Sequence, residues 1–199
     1  MKNKECFSEV IESSLNGWIA QSWQWHKYPA FGSLVSVDCG NRVAFGIVHQ
    51  INTGSIDPIR QPVAYQKTYE ELVREQPQIF EFLRTTFSCL SVGYLERETL
   101  YYLLAPEPPK IHSFVSLAST AEVKRFFSSE RFLHVLFGAS QEIFNLDELL
   151  LAILKNLSVQ GVWGKPEIDL FVDTFSLISG NDYRRLRLFL QRAQFILDL

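Results

Sequence analysis

The spacing of apolar residues changes once along this 199-residue chain, at about residue 118, and that change restricts it to a sheet-forming half followed by a helical half. Before the change, short β-branched and aromatic runs are punctuated by Gly, Pro and Asn. Leu34-Val35-Ser36-Val37 and the run from Arg42 to Ile51 flank Cys39-Gly40-Asn41, a hairpin signal. Gly46, inside the return strand, predicts a bulge or a sharp barrel bend. Residues 18–25, 87–94 and 99–104 read as further strands. Pro106, Pro108 and Pro109 cannot donate to a ladder, so 105–110 leaves the sheet, with 111–117 as a last extended segment. Residues 5–15 predict a short amphipathic helix and 52–62 a turn-rich connection. Thr68 and Glu71 have the spacing of a capping box, and with Pro77 they predict a helical insertion over about 68–84.

After the change, Ser119 and Glu122 form a second capping box, and Val123, Phe126 and Phe127 follow at helical spacing. Arg131 to Phe137 predicts a short helix closed by Gly138. Asn145 caps a helix running to about Val159, and Pro166 sits in the first turn of one running to about Ser179. Gly180-Asn181-Asp182 breaks that helix, and Tyr183 to Asp198 is the last. The expected fold class is α+β: a small β-barrel over 1–117 with the inserted helix, then a helical domain over 118–199.

The formal net charge is −3, spread evenly over the two halves, so binding to nucleic acid by phosphate neutralisation would need a local basic patch. Three cysteines, Cys6, Cys39 and Cys89, make a disulfide framework improbable and a reducing compartment the better expectation. Neither a signal-peptide pattern at Met1 to Cys6 nor an apolar run near 20 residues is found, so the expected localisation is cytoplasmic, with no membrane partner.

The short contiguous motifs of nucleotide chemistry, Gly-x-x-x-x-Gly-Lys-Ser/Thr and Gly-x-Gly-x-x-Gly, do not occur, nor does a Gly-x-Ser-x-Gly elbow. His26, His49, His112 and His134 lie far apart with no paired metal-ligand spacing. Cys39 and Cys89 are the nucleophile candidates by residue type, but a turn and an apolar strand suit small packed thiols better. The expectation is therefore no catalytic residue, no metal and no cofactor.

Two groups of residues point to binding. Trp23 and Trp25, two apart, would share a strand face and could stack single-stranded bases; the alternative is that they fill the barrel or its contact with the helices. In the last helix Leu186, Phe189, Leu190, Ala193 and Leu197 form one apolar face, while Leu188 and Phe195 lie on the opposite one. Arg184 and Arg187 flank the first face on one side, Arg185 and Arg192 on the other. Such a helix is either central, with arginines pairing to acids such as Asp169 and Asp173, or covered by a partner.

Phe31-Gly32-Ser33-Leu34-Val35-Ser36-Val37, then Arg42-Val43-Ala44-Phe45-Gly46-Ile47-Val48, resemble the glycine-led strand, tight turn and glycine-centred strand of the HAS-barrel. Arg60-Gln61-Pro62 and the closing Tyr102-Leu103-Leu104-Ala105-Pro106 with Pro108-Pro109 are also similar. That domain is shared by HerA-type ATPases and the N-terminal part of ATP synthase subunits. The resemblance covers roughly the first 117 residues and implies a closed six-stranded barrel, often at the rim of a ring, that assembles and positions rather than catalyses. The large members continue into a RecA-like ATPase; this chain continues into helices without a P-loop, so neither ATP hydrolysis nor a catalytic residue carries over. The expected function is a non-catalytic binding or assembly protein, an accessory of a ring-shaped ATPase complex. It would self-associate or dock through Arg184, Arg185, Arg187, Leu188, Arg192 and Phe195. The alternative is a single-stranded nucleic-acid-binding barrel using Trp23, Trp25 and the arginines of the last helix.

Overall fold

A computed structural model describes residues 5–57, 59, 62–180 and 182–197. The expectations at residues 1–4, at Arg60-Gln61, at Asn181 and at Asp198 lie outside the described residues, as does that for the side chain of Leu197.

The strands are β1 (Cys6–Ser13), β2 (Gly17–Ser22), β3 (Leu34–Asp38), β4 (Arg42–Ser55), β5 (Leu83–Glu96), β6 (Thr99–Tyr101) and β7 (Phe114–Leu117). They run in the order β2-β1-β7-β3-β4-β5-β6, and β2 also pairs with β5. The extra pairing closes a six-stranded antiparallel barrel, so the fold is α+β with a barrel. β5 gives one edge to β4 and divides the other between β2, along Thr86 to Leu90, and the short β6, along Tyr94 to Glu96.

Residues 6–13 form a strand, not the expected helix. The ladder with β2 shifts register between Val10 and Glu12, where Ile11 is the inserted residue. That bulge places Phe7, Val10 and Ile11 at spacings of three and four, which imitates a helical face in a strand. β2 ends at Ser22, sooner than expected, and Trp23 and Trp25 lie in the turn beyond it. β4 extends past the barrel to Ser55, paired as far as Leu83, with the Thr53 and Thr85 hydroxyls 2.7 Å apart. The stretch 52–55 is therefore strand, not turn.

The ladder does shift register between Phe45 and Gly46, but the extra residue is Val92 of β5, so the bulge lies in the partner strand opposite Gly46. Gly46 itself makes room for Trp18: a Cβ there would lie 2.5 Å from the indole ring. Trp18 joins Phe7, Val10, Ala20, Val35, Val37, Val48, Phe87, Cys89 and Val115 in filling the barrel, with all six strands contributing.

The helices are α1 (Tyr69–Glu75), α2 (Thr120–Phe126), α3 (Arg131–Gly138), α4 (Leu146–Val159), α5 (Lys165–Ile178) and α6 (Tyr183–Leu197). Both predicted capping boxes form, at Thr68–Glu71 and Ser119–Glu122, and the Asn145 side chain accepts from the Glu148 amide at 3.2 Å. Pro77–Phe82 is a 3₁₀ turn where a helix to Arg84 was expected. Leu34, Phe45, Ile47, Leu90 and Val92 point outward from the β3–β4–β5 wall, alternating with the inward residues, and share one core with α2 to α6. This wall is buried on both faces, which is why its strands read as near-continuous apolar runs. Gly32, at φ +78, lets α4 approach closely: a Cβ there would lie 2.8 Å from Ala152 Cβ. Asn156 of α4 donates to the Phe31 carbonyl at 3.1 Å and holds the contact. Among the described residues no helix is long and apolar enough to cross a membrane.

Candidate interaction surfaces

α6 is held by its inner face. Phe189 and Ala193 are buried, and the Phe189 ring stacks on Phe175 of α5 at 4.8 Å between centroids. Arg185 donates to Asp147 on α4, Nη2 to Oδ1 at 2.6 Å and Nε to Oδ2 at 3.3 Å. Its guanidinium also lies over the Phe137 and Phe175 rings at 5.5 and 5.6 Å. The Asp147 hydrogen bond raises the Arg185 pKa further above its ordinary value. Arg192 pairs with Glu148, also on α4, at 2.6 Å. The acids are thus those at the start of α4; Asp169 and Asp173 on α5 are both exposed and make no ion pair with α6 among the described residues.

The six residues singled out on this helix therefore separate. Arg185 and Arg192 tie α6 to α4. Arg184 and Arg187 are exposed and make no ion pair among the described residues. Leu188 is 54% exposed and Phe195 90%, seven residues apart on the outward face.

A second apolar surface had no place in the sequence expectations. β4 and β5 run on together beyond the barrel as a two-stranded arm, and 62–82 lies at its tip. No residue of α1 or of the 3₁₀ turn is buried. Between them and the arm lies a groove of about 500 Å³ lined by Val63, Tyr65, Leu72, Ile79, Phe80 and Phe82. The available signal was apolar residues (Ile56, Val63, Tyr65) within a stretch rich in turn formers, with neither a strand nor a helix period to bury them.

Trp23 and Trp25 do not share a face. Trp25 stacks on Phe80 of the arm, centroids 5.7 Å apart and planes 12° from parallel, and Phe80 meets Tyr69 edge-on at 5.3 Å. Trp23 meets Phe114 of β7 edge-on at 5.4 Å. The first ring fastens the arm to the barrel; the second covers a strand at the other side of the β2 turn.

The nucleophile candidates sit in unreactive surroundings. Cys89 is in the barrel core, and burial pushes its thiol well up; burial also raises Cys39. A raised pKa withholds the thiolate that would attack. At the barrel mouth a cleft of about 210 Å³ brings His49, Glu142, Trp18 and Cys89 together. Desolvation lowers the His49 pKa, with the Glu142 charge a smaller opposing influence. Among the described residues no group of three or more His, Cys, Asp or Glu could hold a metal ion.

Fold and surfaces together define a closed six-stranded barrel, walled on one side by helices and presenting two exposed apolar features. No protein-family model and no curated protein sequence matches the chain.

Proposed function

We propose that this chain is a non-catalytic binding and assembly protein of HAS-barrel type, acting in the cytoplasm as an accessory of a ring-shaped ATPase complex. The observation that carries the reading is the outward face of α6. Leu188 and Phe195 are exposed there beside Arg184 and Arg187, while the same helix is fixed rigidly on its other face by Phe189 and the Arg185–Asp147 pair. Exposed large apolar residues flanked by arginine are the composition of protein contacts, where aromatic residues and Arg are enriched. The closed six-stranded barrel agrees with the resemblance that suggested the family. Base stacking by Trp23 and Trp25 draws less support, since both rings already contact protein aromatics.

The test is a photo-crosslinking residue at exposed Gln191, used in the native cells alongside light scattering on the purified protein at low and high salt. The expected result is a specific crosslinked product, to a ring-ATPase subunit or to the chain itself, lost in the Leu188→Asp, Phe195→Asp double variant. A chain that is monomeric at every concentration and crosslinks to nothing from position 191 overturns the proposal.

A further inference from the structure

We propose that the open edge of β4 along the arm, Gln50 to Ser55, receives an extended segment of a partner protein as an added strand. An apolar side chain of that segment seats beside Phe31 and Phe144, and a basic one meets Glu142. This surface is separate from the outward face of α6, and neither depends on the other.

The two edges of β4 end at different points. Toward β5 the strand is paired as far as Ser55, opposite Leu83. Toward β3 the ladder covers only Val43 to Ile47. The last backbone bonds on that side are from Val48 N to the Ser33 carbonyl at 3.0 Å and from Gly32 N to the Val48 carbonyl at 2.8 Å. Upstream of Gly32 the chain is no longer strand. Among the described residues no strand and no backbone group pairs with Gln50 to Ser55 on the side away from β5. About 20 Å of strand thus leaves alternate N–H and C=O groups without a protein partner.

The open edges of this sheet are not alike. β6 is short, Thr99–Tyr101. Leu83 to Thr85 of β5 carries Arg84, and the Thr85 hydroxyl donates to the Trp25 carbonyl. Gln50-Ile51-Asn52-Thr53-Gly54-Ser55 has neither a charge nor a proline, the devices that keep an edge from pairing. Such an edge selects a polypeptide in extended form, because its donors and acceptors recur at strand spacing, a repeat that neither a helix nor a small molecule matches. At the barrel end of this edge a cleft of about 670 Å³ lies beside Gln50 and Ile51, lined also by Phe31, Glu142, Ile143 and Phe144. Phe144 is fully exposed. Glu142 is the one carboxylate of the lining, held by the Asn16 side-chain amide at 2.9 Å, and the lining has no Lys or Arg. An added strand points alternate side chains to one face, so the fitting segment brings a bulky apolar residue to Phe31 and Phe144 and a Lys or Arg to Glu142. The same edge of a second copy brings neither: it has no basic residue, and its one large apolar side chain, Ile51, packs against the barrel core. The occupant is therefore a segment of another protein.

The experiment selects a random heptapeptide display library on the full chain, and the most enriched sequence is then used as a synthetic peptide. Enriched sequences should lack proline, alternate apolar residues with others, and carry Lys or Arg. The bound peptide should slow hydrogen exchange along 50–55. Methylating every second peptide amide in one register should abolish binding, and in the other register should spare it, since an added strand turns only alternate N–H groups to its neighbour. Phe144→Asp and Glu142→Lys, both at exposed positions, should each weaken binding by about tenfold or more with circular dichroism unchanged. A library that yields no binder, a peptide that protects another segment, or two methylated series that bind equally overturns the proposal. Concentration-dependent protection of 50–55 without peptide overturns it in favour of a second copy's edge. None of these outcomes bears on the crosslinking from position 191, which tests the α6 face separately.

Discussion

Single residues show where short-range pattern is enough and where it stops. Gly46 marks a break in the ladder because glycine interrupts an apolar strand, but nothing local names Trp18 as the ring that requires the space, or Val92 of β5 as the extra residue. Gly46→Ala forces a methyl group to within 2.5 Å of that ring inside a filled barrel. Overpacking of this kind costs roughly 1–3 kcal/mol, which urea unfolding would read as a lower midpoint with an unchanged slope. His49 yields a pH dependence. Burial holds its folded pKa below the ordinary 6.5, so the unfolded chain takes up a proton first as pH falls. Stability is complete above the unfolded value and declines below it, down to the lower folded value. Urea midpoints above and below the ordinary value should show that fall, and His49→Gln should flatten it in proportion to its share. Arg185 and Arg187 separate on the same measurement. Arg185→Ala removes three contacts with Asp147 and two ring faces, for a loss on the order of 1 kcal/mol, whereas Arg187→Ala should leave the midpoint unchanged.

At the level of elements, caps were legible and register was not. Thr68, Ser119 and Asn145 each start a helix where the hydroxyl or amide spacing said they would, because a cap is a contact within four residues. β1 was misread because its bulge hides the alternation, and the bulge is made by pairing with β2, a tertiary event. The arm was missed for the same reason. β4 and β5 run past the barrel only because each supplies the other's ladder, and the apolar groove exists only once 62–82 folds against them. The α6 surface was half legible: helical spacing separated Leu188 and Phe195 from the inner face, but the acids that meet its arginines come from α4, thirty or more residues earlier. The arm continues the β4–β5 ladder, and one stack ties its tip to the β2 turn. With nothing in α1 buried, Trp25 on Phe80 is its main aromatic tie to the barrel. Trp25→Ala should therefore raise hydrogen exchange across 69–82 markedly while leaving the barrel strands protected. Equal loss of protection in β3 and β5 would show the ring to be part of the barrel's own stability.

For the whole molecule, strands give way to helices after Leu117, and one core spans both sides of that point. Leu34, Phe45, Ile47, Leu90 and Val92 belong to barrel strands, yet they are buried in one core shared with the helical half. Full burial of side chains of this kind contributes about 1.5–3 kcal/mol each, so the five together reach on the order of 10 kcal/mol. That is as large as the whole stability of an ordinary domain, about 5–15 kcal/mol. A fragment ending at 117 would keep every strand and its inner core but expose this wall to water as one apolar patch. It should aggregate or populate a loosely packed state that binds hydrophobic dye, and the full chain should melt in one cooperative transition by circular dichroism and by tryptophan fluorescence alike. Trp18 and Trp163 make the comparison informative, since one reports from inside the barrel and the other from the helical core. Coincident transitions mean that the wall couples the two halves into one folding unit; separate ones mean that the barrel holds itself together and the helices are a detachable cover.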